Sequence, residues 1–264
     1  MSRLDIYLCE KELAKSRERA KKLIKEGKVC VNGKVCTKPA YEVVENDEIT
    51  AQPDDIKYVG RGGLKLEKAF DVFGLDVEDA ICADIGASTG GFTQCLLEHG
   101  AKTVYAVDVG HGQLDKSLIN DKRVVNYEGV NARELTADSF PAKPCFISID
   151  VSFISLELMI GALSSLLEHN GIIIALIKPQ FEAGKKALNK KGIVKDPKDH
   201  VRVLEKLVCA FNGADLTVVD IIPSAITGGD GNIEYLAYLR KDPQTEIKNI
   251  DFNGIVKSAF LQFK

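Results

Sequence analysis

The sequence predicts a doubly wound α/β sheet that follows a small α+β domain. From Ile81 onward, apolar strand-like segments alternate with helical stretches, which is the pattern of a mostly parallel sheet covered by helices. A glycine-rich loop over residues 84–92 follows the first of these strands, at the edge where such sheets bind ligands. We therefore expect a small domain with its linker over residues 1–58, a large domain over 59–242 and a helical tail over 243–264.

The composition is that of a globular protein. Of its 264 residues, 45% are hydrophobic and 28% are charged, which is ordinary for one large domain joined to a small one. No apolar run approaches the roughly 20 residues of a membrane span, and residues 1–5 lack the apolar stretch of a signal peptide, so we expect a cytoplasmic protein. The seven cysteines are never spaced as C-x-x-C and the four histidines are scattered, so we expect neither disulfides nor a metal site.

Positive charge is concentrated in the first 40 residues. They hold 11 Lys or Arg against 5 Asp or Glu, although the whole chain has a net charge of −3. A basic domain on an acidic body predicts a polyanion as its partner. A solvated basic helix without such a partner is the alternative at this point.

Two helices are predicted in the small domain. Leu4 and Leu8 share one face of a short helix, and Ser16 is a suitable N-cap for a second helix that ends at Gly27. The apolar face of the second helix consists of Ala20, Leu23 and Ile24.

A hairpin and a further strand are predicted after these helices. Val29 and Val31 alternate as in a strand, and Asn32-Gly33 is a strong signal for a hairpin turn. We expect Val43, Val44 and Ile49 to close a small sheet with this hairpin.

The cations of the small domain form one predicted surface. They lie at the N-terminus, on the polar face of the second helix and on the hairpin: Arg3, Arg17, Arg19, Lys21, Lys22, Lys25, Lys34 and Lys38. Clustered cations suit contacts with phosphates, which are strong but carry little sequence information. The pattern R-L-D-x-x-L, followed by S-R-x-x-A-x-x-L-I-x-x-G-x-V-x-V-N-G, resembles the S4-type RNA-binding domain. The resemblance implies that this basic face binds structured RNA.

Seven strands and several helices are predicted in the large domain. The predicted strands cover residues 81–85, 103–109, 124–127, 146–151, 172–177, 217–222 and 234–239. A helix over 64–73 leads into the sheet, and another over 90–98 follows the glycine-rich loop.

The glycine-rich loop favours a nucleoside ligand. Its predicted contacts, with the carboxylate that ends the second strand, are Asp84, Gly86, Ala87, Ser88, Gly90, Gly91 and Asp108. Glycines let a ligand approach the backbone, and Asp108 can accept hydrogen bonds from both ribose hydroxyls. The loop has the pattern D-x-G-x-x-x-G-G rather than G-x-G-x-x-G, and Asp84 suits the ammonium group of a ligand. Both features favour S-adenosylmethionine over NAD, although NAD enzymes share this layout.

Four charged residues are the candidate catalytic groups. They are Lys65, Asp150, Lys178 and Glu234. Asp150 and Lys178 end predicted strands, Glu234 begins the last strand, and Lys65 starts the helix that leads into the sheet. We expect them to converge on one cleft, where two lysines and two carboxylates suit the deprotonation of a hydroxyl. Each of them alone could equally be a surface charge or a helix cap.

The surroundings of Asp150 favour a hydroxyl acceptor. Exocyclic-amine methyltransferases typically carry two prolines and an aromatic residue after this position, whereas this chain has Val151 and Ser152. Cytosine-C5 enzymes use a cysteine that follows a proline, but Pro144 and Cys145 precede the strand and should lie at the opposite end of the sheet. Base methylation therefore remains the second candidate among enzymes.

Several motifs together resemble the hemolysin A-like, TlyA-type family. They lie in residues 60–65, 83–92, 149–153, 177–181 and 228–235. The resemblance implies an S4-like domain fused to an FtsJ-like ribose 2′-O-methyltransferase domain whose last strand is antiparallel, with S-adenosylmethionine as cofactor. It implies that Lys65, Asp150, Lys178 and Glu234 form a catalytic tetrad. It also implies ribosomal RNA or ribosomal subunits as partners, and in some members a cytidine ribose as acceptor.

Two functions from other classes stay open on the sequence alone. One is a non-catalytic RNA-binding or ribosome-assembly factor, against which the complete tetrad argues. The other is a membrane-active cytolysin, which the lack of an apolar or amphipathic span opposes.

A basic segment near the predicted cleft has two interpretations. Residues 182–197 contain five lysines and two glycines. They are typical of a mobile loop over the cleft, and as a hypothesis this loop clamps RNA. A disordered, solvated insertion is the alternative.

Overall fold

The chain folds as two units, Met1–Lys57 and Tyr58–Lys264. The structure is a computed structural model that describes residues 2–14, 17–52, 57–242, 244–245 and 249–264. The C-terminal segment that the sequence suggested as a separate tail is part of the second unit.

The first unit packs two helices on short strands. Its elements are β1 (Ser2–Arg3), α1 (Leu4–Glu10), α2 (Arg17–Lys25), β2 (Val29–Val31), β3 (Lys34–Val35), β4 (Glu42–Val43) and β5 (Ile49–Ala51). Leu4, Leu8, Leu23 and Ile24 are buried in its core, so the apolar faces predicted for both helices are the packed ones. The predicted cap Ser16 lies outside the described residues, as does most of the predicted linker.

The small sheet differs from the predicted one in its last part. β2 pairs with β3 across a turn in which Asn32 (φ +51°) and Gly33 (φ +73°) are left-handed, as a type I′ hairpin requires. β5, which contains Ile49, completes this three-stranded sheet. Val43 instead lies in β4, which pairs with β1 in a separate ladder, and Val44 is exposed outside the strands. Placing both valines in one sheet was wrong because adjacent side chains face opposite sides and only Val43 reaches the core.

The second unit alternates strands and helices along the chain. Its elements are α3 (Gly62–Phe73), β6 (Ile81–Ile85), α4 (Gly91–Glu98), β7 (Thr103–Asp108), α5 (Lys116–Ile119), β8 (Val124–Glu128), β9 (Phe146–Ile149), α6 (Ile160–Leu166), β10 (Ile172–Ile177), α7 (Pro179–Glu182), α8 (Pro197–Asn212), β11 (Thr217–Pro223), β12 (Tyr235–Arg240) and α9 (Phe252–Gln262).

One seven-stranded sheet forms the centre of this unit, and its predicted mixed topology is confirmed. The strand order is β11-β12-β10-β9-β6-β7-β8. In this order, neighbouring strands pair in parallel through β10, β9, β6, β7 and β8. In contrast, β12 is antiparallel to both β10 and β11. The chain moves from β6 outward in one direction through β7 and β8, and then returns to build β9 and β10 on the other side. The carboxyl ends of β6 and β9 therefore form the switch point where ligands bind in open α/β sheets.

Helices cover both faces of the sheet, which is why its strands are apolar throughout. Leu66 of α3 and Leu96 of α4 are buried in the core on one face. Leu163 of α6, Leu204 of α8 and Val256 of α9 are buried in the core on the other face. This double layer fixes the strand ends, and with them every side chain that follows a strand into the cleft.

Candidate active site

Asp150 and Lys178 meet because they follow adjacent parallel strands. β9 ends at Ile149 and β10 at Ile177, so the next residue of each strand emerges at the same edge of the sheet. The Nζ of Lys178 lies 2.5 Å from Oδ1 of Asp150, and it also donates a hydrogen bond to Oγ of Ser152 at 2.9 Å. A lysine this buried requires such partners, because an unpaired charge in the interior is strongly unfavourable.

Glu234 and Lys65 form a second ion pair at the same edge. Tyr235 of the antiparallel β12 pairs with Ile177 of β10. Glu234, just before Tyr235, and Lys178, just after Ile177, therefore lie at the same end of the sheet. Lys65, in the first turn of α3, places its Nζ 2.6 Å from Oε2 of Glu234. The Glu234 side chain is only 2% exposed, and the Lys65 ammonium compensates its negative charge.

The start of α3 brings the second pair close to the first. A Cβ atom at Gly62, three residues before Lys65, would lie 3.9 Å from Oδ2 of Asp150. Gln180, two residues after Lys178, donates from Nε2 to Oε1 of Glu234 at 3.5 Å. The structure thus brings together all four side chains that the sequence singled out, as two neighbouring ion pairs in which only Asp150 is partly exposed.

Close backbone approach explains the glycines of the loop after β6. Gly86 has a φ of +85°, and a Cβ atom there would lie 2.3 Å from the backbone oxygen of Asp150. Gly90 has a φ of +92°, and its Cβ would lie 2.1 Å from Cδ1 of Leu118. A side chain at Gly86 would collide with the backbone that follows β9, and one at Gly90 would collide with the Leu118 side chain, so the loop requires glycine for packing as well as for conformation.

A pocket of about 580 Å³ opens at the ends of β6, β7 and β9. Its lining includes Gly86, Ser88, Asp108, Gln113, Asn131, Asp150, Phe153 and Met159. A smaller pocket of about 130 Å³ adjoins it under the start of α3, and Gly86, Ser88 and Asp150 line both. The volume suits a nucleoside-sized ligand.

Asp108 presents a fixed carboxylate to the larger pocket. Its Oδ2 accepts a hydrogen bond from the backbone N–H of Ser88 at 2.8 Å, and its Oδ1 accepts one from Gly110 at 2.7 Å. Each carboxylate oxygen retains a second lone pair, so the group can still accept from two hydroxyls of a ligand. Sequence and structure therefore agree that this residue lines the pocket.

Asp84 occupies a different place from the one expected. It has no exposed surface, and its two oxygens accept hydrogen bonds from Thr93 (2.7 Å) and Ser148 (3.2 Å). Burial raises the pKa of Asp84 to about 7. The sequence suggested direct contact with a ligand's ammonium group, but in this fold the side chain points under the loop. Residue spacing identified the strand end and gave no information on which side of it the carboxylate faces.

One prominent residue, Phe153, was not singled out by the sequence patterns. It is 91% exposed and has a φ of +63°, which is unusual for a non-glycine residue. Its ring centroid lies 5.0 Å from that of Phe181, and the ammonium of Lys178 lies 5.9 Å from the Phe181 centroid. Phe153 is the last residue of the motif I-D-V-S-F over residues 149–153, but we interpreted that motif only for its aspartate, Asp150.

The cations of the first unit are unequal in their surroundings. Asp5 is fully buried, and it holds Arg3 at 2.9 Å and Arg17 at 3.3 Å, with both arginines remaining about half exposed. Lys22 forms an ion pair with Glu26, four residues later, with 3.5 Å between Nζ and Oε1. Of the other predicted RNA contacts, Arg19 and Lys21 are partly buried and Lys25, Lys34 and Lys38 are exposed.

Two further observations concern the described part of the chain as a whole. None of its helices combines the length and apolar character needed to cross a membrane. It also contains no group of three or more His, Cys, Asp or Glu side chains placed to hold a metal ion.

The chain is similar to known methyltransferases over nearly its full length. The sequence profile of the FtsJ-like methyltransferase family matches residues 58–241, and that of the S4 domain matches residues 2–49. The 16S/23S rRNA (cytidine-2′-O)-methyltransferase TlyA of Mycobacterium tuberculosis is 40% identical over 242 residues, which is 90% of each chain. Hemolysin A of Brachyspira hyodysenteriae is 44% identical over 89% of this chain and 98% of its own.

A solved structure extends this likeness to three dimensions. A protein of Streptococcus thermophilus, whose description carries the hemolysin name, superposes with a TM-score of 0.80 at 42% identity. The match covers 99% of this chain and 96% of the other.

Proposed function

The chain belongs to the TlyA-type family, in which an S4 domain is joined to an FtsJ-like methyltransferase domain, and on this premise we propose how its residues act. The protein is an S-adenosylmethionine-dependent rRNA methyltransferase, and the group that it methylates is a ribose 2′-hydroxyl. Two Lys–carboxylate ion pairs, one of which includes the pocket-lining Asp150, are the observation that carries the assignment of residues.

The residues of the large pocket fit the cofactor. Asp108 would accept the ribose hydroxyls, and the backbone of Gly86 lines both pockets while Ala87 lines the smaller one. The rest of the loop consists of Ser88, Gly90 and Gly91. Asp84 would stabilise the loop by accepting a hydrogen bond from the Thr93 hydroxyl in α4, the helix that follows it. When bound, S-adenosylmethionine supplies an electrophilic methyl group on a cationic sulfur.

Lys178 is the proposed central group. A 2′-hydroxyl is a weak nucleophile at neutral pH and needs a base or a charge that stabilises the alkoxide. Lys178 would take the hydroxyl proton as a neutral amine, or stabilise the developing negative charge as an ammonium. Asp150 orients it at 2.5 Å and lines both pockets.

Lys65 and Glu234 are proposed to fix the acceptor ribose and the charge state of the central pair. They are already bound to each other at 2.6 Å, and Gln180 links Glu234 to the turn after Lys178.

Phe153 is proposed to stack on the base of the target nucleotide. Its exposed ring packs against that of Phe181, with 5.0 Å between the ring centroids, and the Lys178 ammonium lies 5.9 Å from the Phe181 centroid. Base stacking on an aromatic ring accepts any base, so this contact would position the nucleotide without reading its identity.

The first unit is proposed to bind structured RNA through its basic face. The exposed cations Lys25, Lys34 and Lys38, with Arg3 and Arg17 held by Asp5, offer charge to phosphates. By analogy with the curated relative we propose ribosomal RNA within a ribosomal subunit as the substrate, a cytidine as the nucleotide, and the cytoplasm as the place of action.

A base methyltransferase and a non-catalytic RNA-binding factor are the functions against which this proposal is tested. The protein would be incubated with ribosomal subunits that lack the modification and with S-adenosylmethionine carrying an isotopic methyl label. We expect the label in a 2′-O-methylnucleoside by mass spectrometry, at a linkage that resists alkaline cleavage. Label on a base would support base methylation, and absence of label from all rRNA would support the non-catalytic factor.

A further inference from the structure

The basic segment after β10 contains a hairpin with defined contacts. Leu188 pairs with Val194, and the backbone N–H of Asn189 donates to the carbonyl of Ile193 at 3.0 Å. The Asn189 side chain accepts hydrogen bonds from the N–H groups of Lys191 (2.8 Å) and Ile193 (3.0 Å). Val194 is buried. We call residues 188–194 the basic hairpin; its fixed geometry argues against an interpretation as a disordered insertion.

Asn232 fastens this hairpin to the turn before β12. Its side chain is almost fully buried; Oδ1 accepts from the N–H of Val194 at 3.2 Å, and Nδ2 donates to the carbonyl of Gly192 at 3.1 Å. Its own carbonyl accepts from the N–H of Gly228 at 2.8 Å. One side chain thus satisfies two backbone groups of the hairpin from a position two residues before Glu234.

His200 makes a second attachment from α8. It is fully buried, and its Nε2 must donate to the carbonyl of Val194 at 3.0 Å, since a carbonyl oxygen only accepts. Its Nδ1 then accepts from the hydroxyl of Tyr235 at 2.9 Å. Burial lowers the pKa of His200, which favours this neutral form. Tyr235 directly follows Glu234, so both flanks of the catalytic carboxylate are connected to the hairpin.

The lysines of the hairpin and its flanks are available for a ligand. Those at the tip are Lys190 and Lys191, and those beside it are Lys185, Lys186 and Lys195. All five are exposed, and none forms an ion pair with another described residue. Five exposed cations on one short segment match the charge of an RNA backbone.

We propose that Asn232 and His200 are positioning residues that fix the basic hairpin to the turn carrying Glu234, so that phosphate contacts at Lys190 and Lys191 place the acceptor ribose against the tetrad. The proposal rests on the proposed function and identifies the part of the RNA that the catalytic unit contacts, namely the backbone next to the target nucleotide. The hairpin and Glu234 then move as one body, and loosening their attachment weakens RNA binding without touching the cofactor pocket.

The test is a double-mutant cycle between the hairpin tip and its attachment. The variants are K190A/K191A, Asn232→Leu, which has a similar volume but forms neither hydrogen bond, and the combination of all three changes. For each, RNA affinity is measured by filter binding to 23S and 16S rRNA transcripts over a range of salt concentrations, and methyl transfer to ribosomal subunits gives KM and kcat.

The expected result is a coupled weakening of RNA binding. K190A/K191A should weaken binding and reduce the salt dependence by about 2 in the slope of log affinity against log salt, about one for each phosphate that the lysines no longer neutralise. Asn232→Leu should show the same type of weakening, with a higher KM for RNA and the same affinity for S-adenosylmethionine. The combined variant should bind RNA only slightly more weakly than K190A/K191A or Asn232→Leu alone. The lysines can contribute to binding only when the hairpin is fixed, so the two losses should not add.

Matched controls separate this effect from general damage. Lys102 and Lys122 are exposed and precede β7 and β8, at the opposite edge of the sheet, so K102A/K122A removes equal charge and should leave binding nearly unchanged. If Asn232→Leu does not fold, Tyr235→Phe removes only the hydroxyl that holds His200, and it should show the same coupling at smaller size.

Two results would overturn the proposal. One is an Asn232→Leu protein with a lowered melting temperature but the RNA affinity and salt slope of the parent, which would make Asn232 merely structural. The other is full additivity of the two changes. If the parent protein binds rRNA but transfers no methyl group, the proposed function fails, while the salt slopes of the binding cycle still decide whether the hairpin binds RNA and is fixed by Asn232.

Discussion

At the scale of single residues, Asp150 and Lys178 show how much a strand end determines. Each follows the last buried isoleucine of a parallel strand, and the pairing of β9 with β10 then sets their separation. The sequence predicted this because a charge after a run of apolar residues leaves few alternatives. It failed for Asp84, which also belongs to a strand, because alternation along a strand decides which side a carboxylate faces and both sides of this strand are covered.

Asp84 should make stability depend on pH. The unfolded carboxyl titrates near 4, and burial raises its folded pKa to about 7, so its contribution is fully present below about pH 4 and is lost as the pH rises through about 7. Asp84→Asn removes that titration. The free energy of unfolding of the parent, relative to the variant, should therefore fall between about pH 4 and about pH 7 in urea titrations. Parallel pH profiles for the two proteins would contradict this assignment.

Phe153 should act through its ring. Phe153→Ala should lower kcat/KM for ribosomal subunits by about tenfold, since stacking of one base contributes roughly 1–3 kcal/mol. Phe153→Tyr keeps the ring at the same left-handed backbone position and serves as the control, with nearly normal transfer. Equal losses in both variants would assign the effect to the backbone instead of the stacked base.

At the scale of elements, the strands and helices of the large unit were predictable and their exact ends were not. Runs such as Ile172–Ile177 are apolar without alternation because helices cover both faces, and this signal is strong. The predicted strand over 146–151 stops at Ile149, since Asp150 turns away to meet Lys178. The segment 182–197 was interpreted from its charge alone; its hairpin depends on Asn232 and His200, which lie far away in sequence or on another element.

The loop after β6 should tolerate no side chain at Gly86. Gly86→Ala combines a strained φ with a 2.3 Å approach to the backbone of Asp150, so it should displace that residue and abolish cofactor binding. Gly74→Ala is the control, because Gly74 has a similar φ of +61° and open space around its Cβ. It should cost about 1 kcal/mol in stability and keep its affinity for S-adenosylmethionine in calorimetry. Normal cofactor binding by Gly86→Ala would show that the loop adapts.

At the scale of the whole molecule, the uneven charge of the chain has a structural basis. The overall charge is −3, yet the first unit carries several exposed lysines, and five more lie between residues 185 and 195 of the second unit. Composition predicted a polyanion partner for the first unit, and the resemblance to the S4-type domain implied that this partner is RNA. It could not indicate that Arg3 and Arg17 are organised by the buried Asp5, since that interaction joins the start of the chain to α2.

The exposed lysines of the first unit should contribute affinity rather than chemistry. Replacing Lys25, Lys34 and Lys38 with alanine should raise KM for ribosomal subunits and flatten the salt dependence by about one slope unit for each phosphate that is no longer neutralised. The value of kcat at saturating substrate should remain that of the parent. A fall in kcat with unchanged KM would mean that these residues influence the tetrad itself.

The most direct test of the central claim is single-turnover methyl transfer by Lys178→Ala. Removing the proposed base or alkoxide-stabilising charge should slow transfer to ribosomal subunits by about 10²–10⁴-fold, while affinity for S-adenosylmethionine stays within about twofold by calorimetry. Lys206→Ala, which breaks an ion pair with Glu157 on the surface, controls for the removal of a lysine. A Lys178→Ala protein that binds cofactor normally and still forms the 2′-O-methylnucleoside at the parental rate would contradict the proposed role of Lys178.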